Sequence, residues 1–138
     1  MRHNLPDLQA TTALAEKLAA QLRIGDVLLL QGDLGAGKTT LARALIQSLA
    51  PDVEEVPSPT FTLVQQYDTP RGPLYHYDLY RLKHPDEIFE LGFEDSVAEG
   101  IVLVEWPERL AHYASKYAKK VHLTLGEGGL RWAEVEGF

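Results

Sequence analysis

Leu14, Leu18 and Leu22 recur at helical spacing, with Ala15 and Ala19 on the same stripe, so this stretch predicts an amphipathic helix. Gly25-Asp26 stops it. The next four residues, 27–30, are all apolar, as in a strand covered on both faces. Helical spacing returns at Leu41, Leu45 and Leu49, and Pro51 terminates it. Residues 53–59 carry two prolines and two glutamates and predict a loop. Residues 60–67 are rich in β-branched and aromatic side chains, 68–73 contain Pro70 and Gly72, and 74–80 alternate. That order predicts strand, turn, strand, paired as an antiparallel hairpin. A short helix is expected from Pro85 to about Leu91, broken at Gly92. The run 101–104 is continuously apolar and predicts a central parallel strand. Pro107 can open a helix reaching about Ala118. Residues 121–125 and 130–135, joined through Gly126-Glu127-Gly128-Gly129, predict a terminal hairpin.

These elements predict an α/β fold of three layers. Its central sheet is mixed and partly parallel, with antiparallel hairpin additions, and the whole of 1–138 forms a single domain. The 45% of hydrophobic residues suffices for one core. No apolar run is long enough to span a bilayer, and no charged-then-apolar segment opens the chain, so a cytoplasmic protein without membrane attachment is expected. The absence of cysteine excludes disulfides, thiolate catalysis and Cys-based zinc sites. The histidines, His3, His76, His84, His112 and His122, lack helical zinc spacing and are expected to be satisfied or solvated. A net charge of −7 argues against tight, autonomous nucleic-acid binding. The nearest basic patch, Lys116, Lys119 and Lys120, is expected to be a solvated face before a strand.

Residues 32–39 read Gly-Asp-Leu-Gly-Ala-Gly-Lys-Thr, a complete G-x-x-x-x-G-K-[ST] phosphate-binding loop between an expected strand and an expected helix. Inward backbone N–H groups and the helix N-terminus would together bind a triphosphate. Glycines at 32, 35 and 37 permit positive φ angles and close backbone approach. Lys38 would reach the β- and γ-phosphates, and Thr39 would ligate Mg²⁺. Catalysis also needs an acid that organises metal or water. Glu105 directly follows the run 101–104 and therefore belongs at a strand's carboxyl end, where such acids act. It is the candidate Walker B-type residue, against the plainer reading of an acid that merely ends a strand. Asp78 lies inside His76-Tyr77-Asp78-Leu79-Tyr80-Arg81. It either serves the site or sits on a solvent face paired with Arg81, because a carboxylate within a strand is costly unless partnered. Ser58-Pro59-Thr60-Phe61 occupies the place of a loop whose threonine closes on Mg²⁺ and the γ-phosphate, or is a simple proline connection. The only asparagine is Asn4, so the Asn-Lys-x-Asp reader of guanine is missing. No arginine holds an obvious finger position, so a catalytic cation would have to come from a partner.

In order, residues 32–40, 58–64, 76–81, 91–95 (Leu-Gly-Phe-Glu-Asp) and 104–108 (Val-Glu-Trp-Pro-Glu) resemble the TsaE (YjeE) family of bacterial P-loop ATPases. The resemblance extends over nearly the whole chain and implies a P-loop NTPase-like fold. It implies Mg²⁺-dependent ATP binding and hydrolysis that supports the TsaD–TsaB complex in threonylcarbamoyladenosine modification of tRNA, with tRNA met only through that complex. Carried over by position, Asp33, Leu34, Gly35, Ala36, Gly37, Lys38, Thr39, Thr40 and Trp106 belong to the nucleotide site. Thr39, Thr60 and Glu105 belong to the metal. Lys38, Asp78 and Glu105 belong to catalysis. The terminal hairpin carries no residue over. Two other readings stay open. A small P-loop kinase would phosphorylate an acceptor instead of releasing free phosphate. A nucleotide-gated binding module, docking through Tyr75, Tyr77 and Tyr80, would work without hydrolysis; half-buried hairpin packing is the plainer reading of those tyrosines.

Overall fold

The two continuous apolar runs lie side by side at the centre of one sheet. The computed structural model describes residues 1–33, 35–57 and 62–138. Its strands are β1 (Arg2–Asn4), β2 (Val27–Gly32), β3 (Val64–Thr69), β4 (Gly72–Asp78), β5 (Ile101–Glu105), β6 (Lys119–Leu125) and β7 (Arg131–Glu136). Its α-helices are α1 (Leu8–Ala19), α2 (Lys38–Leu49) and α3 (Phe93–Glu99), with 3-10 segments at Pro85–Leu91, Pro107–Lys116 and Glu127–Gly129. The sheet runs β1-β7-β6-β2-β5-β4-β3. The four strands β6, β2, β5 and β4 are mutually parallel, and antiparallel pairs flank them on both sides.

Side chains alternate between the two faces of a strand. Leu28, Leu30, Leu74, Ile101 and Leu103 face α1 and α2. Val27, Leu29, Tyr77, Val102 and Val104 face the layer built from 85–99 and 107–116. Three layers result, as expected from sequence. Leu41, Leu45 and Ile46 of α2 are fully buried on the first face. Truncating any of them to alanine would cost about 2–5 kcal/mol.

Several boundaries differ from the expected ones, each for a local reason. Helix α1 starts at Leu8 because the Asp7 side chain accepts from Ala10 N–H at 2.9 Å. It ends at Ala19, and Leu22 is buried in the turn beyond. There Arg71 Nη1 donates to the carbonyls of Ala19 and Leu22 at 2.7 and 3.0 Å. Strand β4 stops at Asp78, two residues early, because Asp78 Oδ1 takes the Tyr80 N–H at 3.0 Å and turns the chain. Strand β3 begins at Val64, just after Leu63 adopts a φ of 68°. The expected helix after Pro107 is instead a 3-10 segment interrupted at Ala111, whose φ is 50°. Strand β1 and helix α3 are too short to show a period. Lys119 and Lys120 lie within β6 itself, with Lys119 Nζ 3.7 Å from Asp26 Oδ1. No described helix is long and apolar enough to cross a membrane.

Candidate functional site

Three adjacent parallel strands bring their carboxyl ends to one edge of the sheet. Leu30 of β2 and Asp78 of β4 both pair with Glu105 of β5. Open α/β sheets bind ligands outside the carboxyl ends of their strands, and the 32–39 loop leaves β2 at that edge. Gly32, Gly35 and Gly37 all take positive φ, at 152°, 85° and 104°. At Gly32 a Cβ would lie 2.7 Å from Leu123 O, so only glycine lets the loop pass β6 so closely. A Cβ at Gly35 or Gly37 would meet nothing within 4 Å, which leaves open space over the loop. The Asp33 carbonyl closes the turn by accepting from Ala36 N–H at 3.0 Å.

Lys38 opens α2, and its side chain is only 5% exposed. Its Nζ donates to Gly32 O and stands 3.1 Å from the ring centroid of Trp106, a cation–π contact. Burial lowers the Lys38 pKa; Glu108, Glu105, Asp78 and Asp33 pull it back up. Trp106 sits in the left-handed region at φ 59°, ψ 52°. Such strain in a non-glycine residue costs of order 1–3 kcal/mol and persists only where surrounding structure holds it. Tyr80 packs on it with ring centroids 5.0 Å apart.

Glu105 is the chemical centre of this edge and is 1% exposed. Its Oε1 accepts from Thr39 Oγ1 at 3.0 Å. Its Oε2 lies 2.6 Å from His76 Nε2. Its backbone carbonyl accepts from Leu79 N–H at 3.1 Å, tying the end of β5 to the end of β4. Asp78, 5% exposed, projects from the same sheet face, and its N–H donates to Leu63 O at 3.0 Å.

These groups surround a cleft of about 400 Å³. Gly35, Gly37, Lys38, Thr39 and Thr40 line one side; Asp78, Glu105 and Trp106 line the other, with Tyr80 and Arg131. A second cleft of about 240 Å³ shares Gly37, Thr40 and Arg131 with the first. Most of the residues expected from sequence are therefore together. Ala36 is buried against the core and lines only the second cleft. Asp33 is exposed and lines neither. Leu34 and Thr60, with Ser58, Pro59 and Phe61, lie outside the described residues.

Three residues enter that sequence reasoning did not assign. Arg131, the first residue of β7, lines the cleft from the terminal hairpin, the segment to which the family resemblance carried no residue over. Tyr80 reaches the cleft because β4 ends early. His76 is fully buried, and its Nδ1 has no partner among the described residues, contrary to the expectation that every histidine is satisfied or solvated. Tyr77, by contrast, is core: it is fully buried, edge-on to Phe93 and bonded to Ser96 Oγ at 2.8 Å.

The residues fit a phosphate ester with a hard cation. A glycine loop leaves room at a helix N-terminus, a buried ammonium lies beside it, and a hydroxyl and a carboxylate supply the oxygen donors that Mg²⁺ prefers.

Known proteins resemble this chain over most of its length. The family model "Threonylcarbamoyl adenosine biosynthesis protein TsaE" matches residues 5–131. The tRNA threonylcarbamoyladenosine biosynthesis protein TsaE of Rickettsia prowazekii is 38% identical over 133 residues, covering 96% of this chain and 92% of that one. Its namesake from Nostoc sp. is 45% identical over 139 residues, covering 97% and 84%. The crystal structure of Bacillus subtilis YdiB superposes with a TM-score of 0.75 at 28% identity, covering 99% of this chain and 84% of that one. The loop, the acid at the end of β5 and a match of this extent lead to one conclusion: the chain belongs to the TsaE family of tRNA threonylcarbamoyladenosine biosynthesis.

Proposed function

We propose that the cleft binds ATP with Mg²⁺ and that the chain hydrolyses it to support the TsaD–TsaB complex during threonylcarbamoyladenosine modification of tRNA. The observation that carries this reading is the 3.0 Å contact between Thr39 Oγ1 and Glu105 Oε1, made beside a glycine loop that holds a buried lysine. In this reading the amides of the loop and the α2 N-terminus bind the phosphate oxygens. Lys38 leaves Gly32 O and reaches the terminal phosphates. Thr39 and Glu105, paired with each other in the free protein, would hold the metal, as would Thr60, which lies outside the described residues. Mg²⁺ would neutralise phosphate charge and help orient the reacting oxygens. Asp78, level with Glu105 across the sheet, would hold the attacking water. Trp106 and Tyr80 line the cleft.

The net charge of −7 supports a protein that meets tRNA only through its partners. Phosphate release from Mg-ATP, measured with and without TsaD–TsaB, tests the proposal. Strong stimulation by the partners is expected. A phosphorylated acceptor in place of free phosphate would turn the reading to a kinase. Bound ATP without stimulated turnover would turn it to a nucleotide-gated module.

A further inference from the structure

We propose that His76 is the positioning residue of Glu105: it holds one carboxylate oxygen so that the other faces Thr39 and the cleft. This rests on Glu105 being the acid of the nucleotide site. His76 lies two residues before Asp78 on β4, so both project from the face covered by α2. It pairs with Leu103, two residues before Glu105 on β5, and its ring therefore meets the Glu105 side chain from behind. The two side chains are 0% and 1% exposed, with His76 Nε2 2.6 Å from Glu105 Oε2.

A carboxylate this buried needs partners for both oxygens. In the free protein Thr39 partners one and His76 the other. If Thr39 turns to a metal ion, His76 is the partner that stays. The arrangement also carries a cost that packing alone does not explain. With Nε2 on Glu105, the other ring nitrogen, Nδ1, is buried without a partner among the described residues. Most buried polar atoms are satisfied, so an orphan directly behind the acid is informative. Leucine, as at position 74 two residues earlier on the same face, would fill the space without that cost. The carboxylate contact is what a leucine would lose. Hydrogen-bonded partners behind a metal-site ligand act in this way, fixing its orientation.

Two measurements test this. In the nucleotide-free protein, long-range ¹H–¹⁵N correlations of the imidazole, assigned by their loss in His76→Gln, should show a proton on Nε2. A bare Nε2 would overturn the proposal without reference to activity. In turnover, Gln keeps an N–H donor near the Nε2 position, whereas Asn is too short and Leu has none. His76→Gln should stay within about threefold of the unsubstituted kcat, and His76→Asn and His76→Leu should fall about 10–100-fold while Mg-ATP affinity changes less than about threefold. Asn matching Gln, or a loss confined to affinity, would overturn the positioning role. Glu105→Gln is measured alongside. If it hydrolyses normally, the assignment of the acid fails and His76 falls with it. If it is inactive while the His76 series stays level, only the His76 inference fails. Should His76→Asn and His76→Leu not fold, the imidazole spectrum decides.

Discussion

Replacing Lys38 by alanine removes a cation that the fold holds ready at the loop. Among the described residues of the free protein its amine donates to Gly32 O and lies over the face of Trp106. Phosphate binding would exchange that bond for charge-assisted ones, worth about 1.5–3 kcal/mol. A central loss of about 2 kcal/mol weakens Mg-ATP binding about 30-fold. At a ligand concentration 100 times the unsubstituted Kd, binding stabilises the unsubstituted protein by about 2.7 kcal/mol and Lys38→Ala by about 0.9 kcal/mol. A chain of this length has an unfolding entropy near 0.3 kcal/mol/K, so each kcal/mol moves Tm by about 3–4 °C. Thermal unfolding with and without Mg-ATP should therefore show a ligand shift of about 9 °C in the unsubstituted protein and about 3 °C in the variant. Without ligand, the lost cation–π contact of about 0.5–2 kcal/mol opposes relief from burying a charge, so the Tm of the free variant should move only a few degrees. An equal ligand shift in both proteins would refute the reasoning, because the phosphates would then bind away from Lys38.

Glu105→Gln should bind Mg-ATP and lose about 10²-fold or more in kcat, read by phosphate release under saturating nucleotide; normal turnover would remove Glu105 from the chemistry. Arg131→Ala should weaken nucleotide binding about 2–5-fold, less at high salt, because this arginine is exposed at the cleft rim; titration calorimetry at two ionic strengths checks both parts. Gly32→Ala should lose about 1–3 kcal/mol in urea unfolding, since its Cβ would meet Leu123 O at 2.7 Å. Burial, ahead of the opposing pull of nearby acids, holds Lys38 below its ordinary pKa of 10.5. Between the lowered value and 10.5 the unfolded chain binds more protons at this residue, so stability relative to Lys38→Met should rise with pH through that window. Urea titrations across the alkaline range would show the opposite slope if the amine were well solvated.

The legible parts of this protein were those encoded over a few residues. The runs 27–30 and 101–104 marked central strands because strands covered on both faces lose their alternation. The 32–39 motif marked its loop because a phosphate cradle demands glycines at set offsets. Boundaries were less legible. Whether the Asp78 carboxylate would cap a turn depends on where Tyr80 N–H comes to lie, and the alternating residues 74–80 look like strand throughout. The 107–116 segment has helical composition, but its chain breaks at Ala111.

Sequence alone determined the loop, the strand that feeds it, the helix that follows, and Glu105 as an acid at a strand's end. All four are set by neighbours within a few positions, where propensity and periodicity act. Only the tertiary structure decided what Glu105 touches. Thr39 is 66 residues away and His76 is 29 away, and both contacts depend on β4, β5 and β2 standing adjacent in parallel register beneath α2. The same holds for Arg131, which reaches the cleft because β6 pairs with β2 and carries the terminal hairpin to the loop. Strand order and register arise from burying two apolar faces at once, a condition on the whole chain that no local window contains.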